Sequence, residues 1–325
     1  MTKIRAIVSC AGIFAFLWGC SPAFAWGCKG HQIVALIAEN HLNPNTHTMV
    51  KEILDAAPID SALKRYCGES GLDAFVDSST WADDERSIRP ETAPWHYLDI
   101  PRGSAKSDVA KFCAAEGCVT KAIETQLAIL RDTSASVRAR GDALRFLIHF
   151  VGDMHQPLHL TTNNDRGGNC VPISFFELEP SLTNPQKEDY RPNLHSVWDT
   201  DIIERFSQDQ TPQQTADSLE KKYQAQRVAW QSTPIRVGAW AWESHQLAEA
   251  MAYRKLPTKI SIEPPQQVTT CADDNHISTR MLALHERVDE KYQTAAAVVA
   301  EQQLVKAGMR LAMLLNSLWS SKNTK

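Results

Sequence analysis

The stretch 147–159 carries three side chains of the kind that bind metal ions: His149, Asp153 and His159. Apolar residues recur at spacings of three and four through its first half, which predicts a helix. On a helix, His149 and Asp153 lie one turn apart on the same face. Pro157 lacks an amide hydrogen and restricts the residue before it, so the chain should turn where His159 can reach the same place. A hydrogen-bonded core histidine would explain one such residue but not the set.

The same four-residue spacing returns at His195 and Asp199. Three further candidate ligands lie within two residues of a glycine or an aromatic residue: His31, Asp83 and His96. Imidazole nitrogens and carboxylate oxygens without cysteine suit zinc in an open, catalytic site. The set is large enough for two or three ions, and neighbouring zinc ions can activate water and hold the oxygens of a phosphoryl group.

Helical periodicity dominates the rest of the chain. The spacing of apolar residues predicts helices over residues 31–40, 46–56, 119–132, 136–153, 195–206, 213–230, 236–253 and 277–318. Only residues 171–177 alternate well enough to predict a strand, at most a short β-ribbon. The predicted fold is therefore all-α, a helical bundle with the site between facing helices. Two long loops, residues 160–192 and 256–271, should cover the site or each other.

Residues 1–25 have the parts of a secretory signal peptide: a basic start, an apolar stretch and small residues before the cleavage site. We therefore expect a mature chain that begins at Trp26 and forms a single domain, residues 26–325. The apolar run is shorter than the roughly 20 residues that span a bilayer, so we expect no stable membrane association. The alternative is a lipoprotein that begins at Cys20.

The chain has 34 basic and 38 acidic residues, a net charge of −4. This balance excludes a generally basic surface for nucleic acid. Any affinity for a phosphodiester must therefore come from a local site, and bound divalent cations would supply it.

Six cysteines lie beyond the predicted cleavage site: Cys28, Cys67, Cys113, Cys118, Cys170 and Cys271. Export, an even number and spacings unlike a metal-binding knuckle favour disulfides. Cys113 and Cys118 are the expected local pair, and the other pairings stay open.

Five motifs together resemble those of a known family. They are Trp-Gly-x-x-Gly-His from Trp26, Trp-Ala-Asp ending at Asp83, Trp-His-Tyr around His96, the His149–Asp153–His159 stretch, and His195 to Asp199 with tryptophan before the acid. In this order they resemble the zinc-dependent type I nucleases of fungi, plants and bacteria, the S1/P1 family. The resemblance covers nearly the whole mature chain. It implies a secreted or periplasmic, monomeric enzyme that cleaves single-stranded DNA and RNA to 5′-phosphate products and removes 3′-phosphates from 3′-nucleotides.

The resemblance implies nine ligands for three zinc ions: Trp26, His31 and Asp153 for the first; Asp83, His96 and His149, with Asp153 bridging, for the second; His159, His195 and Asp199 for the third. Asp153 and Arg86 would be the catalytic residues, with Arg86 steadying the phosphate or leaving group. Trp26 would bind through its carbonyl and its free α-amino group. An amide nitrogen is a poor ligand, so this role requires cleavage after Ala25 and argues against the lipoprotein.

The resemblance also implies substrate contacts. Tyr97 would stack a base, which explains a preference for unpaired strands. Asp99 would accept hydrogen bonds from the base edge, and Asn169 would contact phosphate. The ordinary alternatives are a core tyrosine and a turn asparagine. Around Asp165 there is no match for the apolar residue that walls the base pocket in some members, so base preference stays open.

Three other functions compete with this interpretation. A zinc phospholipase C shares the fold and the tryptophan at the mature start, but it has Glu where this chain has Asp199, and its first histidine lies farther from the tryptophan. A 3′-phosphomonoesterase with little endonuclease action would use the same site, and the loop over residues 160–192 would decide. A zinc-storage protein predicts histidine-rich tracts, and the sequence contains none.

Overall fold

Helices form most of the chain in the computed structural model, which describes residues 26–180, 191–266, 268, 270–271 and 286–319, with only the backbone at 107–108. The α-helices are Cys28–Glu39 (α1), Pro44–Ala56 (α2), Ala74–Ser78 (α3), Trp81–Glu85 (α4), Val119–Arg131 (α5), Val137–Asp153 (α6), Leu194–Ser196 (α7), Ile202–Ser207 (α8), Pro212–Lys222 (α9), Gln224–Gln231 (α10), Val237–Leu247 (α11) and Glu290–Leu318 (α12). Two π-helical segments, Val197–Asp201 and Ala248–Tyr253, join α7 to α8 and extend α11. Short 3₁₀ helices cover Pro90–His96, Lys106–Phe112 and Pro157–Leu160. The predicted all-α class is confirmed.

The core lies where α1, α6 and α12 meet. In α6, every residue from Ala143 to Asp153 is buried, which surrounds the ligand-bearing turn with apolar packing. The helix begins after Ser136, whose side chain accepts a hydrogen bond from the Ala139 amide at 3.2 Å. It ends at Asp153, before the 3₁₀ turn that starts at Pro157. The predicted turn toward His159 is therefore confirmed.

The sheet in the described chain consists of two short strands, Ile173–Phe175 (β1) and Glu286–Val288 (β2). They pair in parallel, with Ile173 opposite Glu286. The strand predicted over 171–177 is confirmed in shortened form. The helix predicted over 277–318 is wrong at its start, because residues 286–288 form β2, while 277–285 lie outside the described residues. The predicted signal peptide also lies outside them.

The other predicted helices hold with three corrections. The prediction of one continuous helix over 213–230 is wrong, because the helix is interrupted at Tyr223, between α9 and α10. The helices predicted over 195–206 and 236–253 are present, but each contains a π-helical segment. α3, α4 and the 3₁₀ helices were not predicted, because each is too short to show a helical period.

Cysteine pairs and asparagine side chains fasten the irregular segments. The six described cysteines form Cys28–Cys67, Cys113–Cys118 and Cys170–Cys271, which confirms the predicted local pair. Asn163 and Asn164 in the first long loop each donate to a backbone carbonyl of the second loop and accept from a backbone amide there, over residues 261–266. The expectation that the two loops cover each other is therefore confirmed.

None of the helices in the described part of the chain combines the length and apolar character needed to cross a membrane.

Two glycines should respond to alanine substitution in opposite directions. At Gly308 in α12, a Cβ atom would lie 2.6 Å from the Ile37 side chain of α1, whereas at Gly238 in α11 it would meet nothing within 4 Å. Gly308→Ala should therefore lower the free energy of unfolding by about 1–3 kcal/mol, because the two helices cannot separate without losing contact. Gly238→Ala should raise it by about 0.4–1 kcal/mol, because alanine restricts the unfolded chain. Urea unfolding at fixed metal content measures both, and equal effects would contradict this packing.

Candidate metal centre and substrate cleft

Buried histidines and aspartates form three groups whose ligand atoms lie within 4.8 Å of one another: His31, His149 and Asp153; Asp83, His96 and His149; His159, His195 and Asp199. The structure thus brings together every side chain that the sequence singled out as a ligand. They come from α1, α4, α6, two 3₁₀ helices, α7 and the following π-helical segment. We call these groups the first, second and third ligand sets.

Asp153 is the shared member of the centre. Its Oδ2 atom lies 2.9 Å from His96 Nδ1 and 3.1 Å from His149 Nε2. Its Oδ1 atom lies 3.3 Å from His31 Nε2. Each carboxylate oxygen therefore faces a different ligand set, which is the geometry of a bridging ligand. Gly152 makes room for this arrangement, since a Cβ there would lie 2.8 Å from the His31 ring.

The third ligand set is built around Asp199 in the π-helical segment. Its Oδ2 atom lies 3.4 Å from His195 Nε2, and its Oδ1 atom lies 3.9 Å from His159 Nε2. Gln156, a residue that sequence reasoning missed, donates from Nε2 to Asp199 Oδ1 at 2.6 Å and so orients the carboxylate. The signal for Gln156 was weak: an uncharged polar residue before a proline, between two ligands.

Trp26 lies at the junction of the first and third sets. Its side chain is fully buried. The next residue, Gly27, donates its amide hydrogen to the backbone carbonyl of Asp199 at 2.7 Å. The start of α1 is therefore fixed against the element that carries the third set.

Backbone carbonyls orient the histidine rings. The Nδ1 atoms of three ligands lie within hydrogen-bond distance of carbonyl oxygens: Ser79 for His149 (2.7 Å), His96 for His159 (2.8 Å) and Gly167 for His195 (2.8 Å). A carbonyl oxygen can only accept, so each Nδ1 carries the hydrogen. The Nε2 lone pair is then directed to the ligand set, as in metal-binding histidines supported by a second partner.

Several buried atoms at the centre have no hydrogen-bond partner within the described residues. Four of these atoms are His31 Nε2, Asp83 Oδ1, Asp153 Oδ1 and His159 Nε2. A buried polar atom left unsatisfied costs about 1–3 kcal/mol. Metal coordination would satisfy all four, and nitrogen and carboxylate donors without cysteine are the set that catalytic zinc sites use. The residues present therefore fit zinc.

Burial also sets the protonation of the ligands. It lowers the pKa of His96 to about 4 and that of His195 well below its usual value, so both rings are neutral near pH 7. His149 differs: burial lowers its pKa, but the charges of Asp153 and Asp83 outweigh this effect and raise it to about 9. In the absence of a metal ion, a protonated His149 would partly compensate the two carboxylates.

The residues predicted to bind the base lie beside the second set. Tyr97 follows the ligand His96 directly, and 40% of its surface is exposed. Asp99 is an exposed residue. The surrounding protein still desolvates its carboxylate and, with the charge of Asp165, raises its pKa to about 6. Arg86 Nη2 lies 3.7 Å from Asp83 Oδ1, and its charge acts on both His96 and Tyr97.

Asp165 lies in the turn after His159, at the position where some family members have an apolar residue that lines the base pocket. The contacts of Asp165 explain why no such residue could be matched here. That carboxylate is buried and accepts hydrogen bonds from the amides of Asn163 and Gly168 and from the Tyr253 hydroxyl. It holds the turn instead of facing a base. Its neighbour Arg166 has a φ of 55°, a left-handed conformation, and its charge acts on Tyr97 and Asp99.

Asn169 belongs to the same turn. Its side-chain amide donates to the carbonyl of Arg166 at 2.8 Å, which is the contact of a turn residue. The predicted contact between Asn169 and phosphate stays a prediction.

Known proteins with similar sequences give this site a context. A sequence profile of the S1/P1 nuclease family matches residues 26–320. Endonuclease 4 of Arabidopsis thaliana is 28% identical over 321 residues, which cover 92% of this chain and 91% of the relative. Nuclease P1 of Penicillium citrinum is 31% identical over 180 residues, 54% of this chain and 57% of the relative. Nuclease S1 of Aspergillus oryzae is 28% identical over 186 residues, 56% of this chain and 55% of the relative.

The matched range contains all three ligand sets and the neighbouring residues Arg86, Tyr97 and Asp99. The chain therefore belongs to the S1/P1 nuclease family and is a hydrolase that acts on phosphodiester bonds.

Proposed function

We propose that this chain is a secreted tri-zinc phosphodiesterase that hydrolyses single-stranded DNA and RNA to 5′-phosphate products and also acts on 3′-nucleotides. One observation carries the proposal: one oxygen of the buried Asp153 carboxylate faces His31, and the other faces His96 and His149. Shared carboxylates of this kind hold pairs of metal ions in enzymes that displace oxygens at phosphorus.

The residues of the centre divide among three ions. Trp26, His31 and Asp153 would hold the first; Asp83, His96 and His149, with Asp153, the second; and His159, His195 and Asp199 the third. When bound, zinc acidifies water near neutral pH and neutralises charge that develops on phosphoryl oxygens. The backbone carbonyls that accept hydrogen bonds from the histidines fix the orientation of the rings. No ring would therefore have to reorient while charge develops on the phosphoryl oxygens.

The protein's own residues direct the substrate. Arg86 lies 3.7 Å from Asp83 of the second set, and its charge acts on Tyr97, so its guanidinium would meet the phosphate and the leaving 3′-oxygen there. Tyr97 would stack one base, with an energy of roughly 1–3 kcal/mol that does not depend on the sequence. A base paired in a duplex cannot offer its face in this way, which supports selection of single strands.

Export is part of the proposal. Residues 1–25 have the pattern of a signal peptide, and three disulfides suit an oxidising compartment. Cleavage after Ala25 would also create the free amine that the first zinc ion requires of Trp26.

The proposed reaction should depend on zinc and on unpaired bases. We expect the mature protein to release acid-soluble product from single-stranded DNA, to lose this activity after chelation and to regain it with added zinc. Duplex DNA of the same sequence should be cleaved far more slowly. Phosphatidylcholine serves as a second control, and zinc-dependent release of phosphocholine without any cleavage of nucleic acid would contradict the proposal.

The proposed roles of His149 as a metal ligand and of Tyr97 as a stacking partner for a base predict different kinetic effects. His149→Ala removes a ligand shared by two sets and should abolish kcat on single-stranded DNA. Tyr97→Ala should chiefly raise KM, by about 5-fold to 150-fold if one stacking contact is lost. Steady-state kinetics at saturating zinc separates these effects. An equal loss of kcat in both variants would count against the assigned roles.

The terminal amine can be tested without changing any side chain. A mature protein with one glycine added before Trp26 should bind two zinc ions instead of three and lose most of its activity, because an amide nitrogen is a poor ligand. Metal analysis of the purified protein measures the ratio, and the same glycine added after Lys325 is the matched control. Three ions and a full rate in the extended variant would refute this role.

A further inference from the structure

A pocket on the protein surface opens beside the third ligand set. Its volume is about 170 Å³, and its lining includes Lys29, Tyr66, Arg191, Ser196, Asp199 and Thr200. Asp199 is thus shared between the pocket and the metal centre. The lining does not include Tyr97, Asp99 or Asn169, so the pocket is separate from the base site described above. We call it the Tyr66 pocket.

The backbone of Tyr66 is firmly held. Its amide donates to Asp84 Oδ1 at 2.8 Å, and Arg65 Nε donates to the other oxygen of the same carboxylate at 2.7 Å. The next residue, Cys67, is joined to Cys28 at the start of α1. Yet 64% of the Tyr66 surface is exposed. An aromatic side chain kept at the surface by a rigid backbone is suited to stacking against a flat ligand.

Two arginines carry positive charge that acts on the third set. The charge of Arg166 acts on His195 and also on Tyr97 and Asp99. Arg191 acts on His195 and Asp199 and lines the Tyr66 pocket. The backbone of a bound strand carries a phosphate at every nucleotide, and cations spaced along its path hold it without regard to sequence. Arg191 therefore brings positive charge to a pocket that also contains Asp199 of the third ligand set and the ring of Tyr66.

The Lys29 ammonium group lies 3.0 Å from Glu204 Oε2, so its charge is directed to that carboxylate. The lining of the pocket combines the guanidinium of Arg191 with the aromatic ring of Tyr66. This combination suits a nucleoside with a 5′-phosphate and does not discriminate among bases.

We propose that the Tyr66 pocket binds the nucleoside on the 3′ side of the cleaved phosphate, while Tyr97 binds the one on the 5′ side. This inference rests on the proposed nuclease function. The inference predicts that two classes of substrate differ in their use of the pocket. A 3′-nucleotide has a nucleoside only on the 5′ side of the phosphate and would not occupy the Tyr66 pocket, whereas a dinucleoside monophosphate has one on each side and would. The 5′-monophosphate product would leave from the Tyr66 pocket.

The test compares mature wild type, Tyr66→Ala and Tyr66→Phe, each loaded with zinc. The measured quantity is kcat/KM for a dinucleoside monophosphate divided by kcat/KM for the 3′-nucleotide with the same first base. Tyr66→Ala should lower this ratio at least about fivefold, because one base–aromatic stack is lost. Tyr66→Phe keeps the ring and should retain the ratio. Val228→Ala on α10, where 69% of the side chain is exposed, is the control for loss of a surface side chain.

Binding of a nucleoside 5′-monophosphate, measured by calorimetry, provides a readout that does not require turnover. Tyr66→Ala should weaken this binding by a similar factor. An unchanged ratio together with unchanged binding would overturn the inference, as would an equal loss with Tyr66→Phe. A wild-type protein that binds the 5′-monophosphate through Tyr66 but hydrolyses neither substrate would overturn the proposed function and not the pocket.

Discussion

The structure depends on one buried carboxylate. Asp153 has no exposed surface, and three histidine nitrogens lie within 3.3 Å of its two oxygens. An ionised carboxylate in an apolar interior requires compensation by positive charge, because burial favours its neutral form. Here the compensation falls to the ligand sets around it. The helices α1 and α6 and the segments that carry Asp83 and His96 are packed so that their polar atoms meet at this point.

The remaining elements hold these atoms in place and shape access to them. Ser79, His96 and Gly167 supply carbonyls that orient three rings, and all three belong to irregular or 3₁₀ segments. Such segments need external support, which comes from the disulfides and from the asparagine contacts between the two long loops. The disulfides and the loop contacts therefore also support the carbonyls that orient the histidine rings.

The sequence predicted most reliably those ligand residues that lie close together along the chain. His149 and Asp153 could be paired from the sequence because both lie on one regular helix, and His195 and Asp199 stayed close even though the turn between them is π-helical. The distant partners Asp83 and His96 could be assigned to a set only by family resemblance, since no local period links them to α6. Gln156 and Arg166 were missed because their roles depend on tertiary contacts. The parallel pairing of β1 with β2 was also missed, since the strands are far apart in sequence and short.

The number and position of the metal ions test the central claim most directly. Anomalous scattering at the zinc absorption edge from crystals of the mature protein would locate them. We expect three peaks, two of them on opposite oxygens of Asp153 and the third between His159, His195 and Asp199. A single peak, or peaks that do not contact Asp153, would contradict the view that this carboxylate bridges two ions at the centre of the fold.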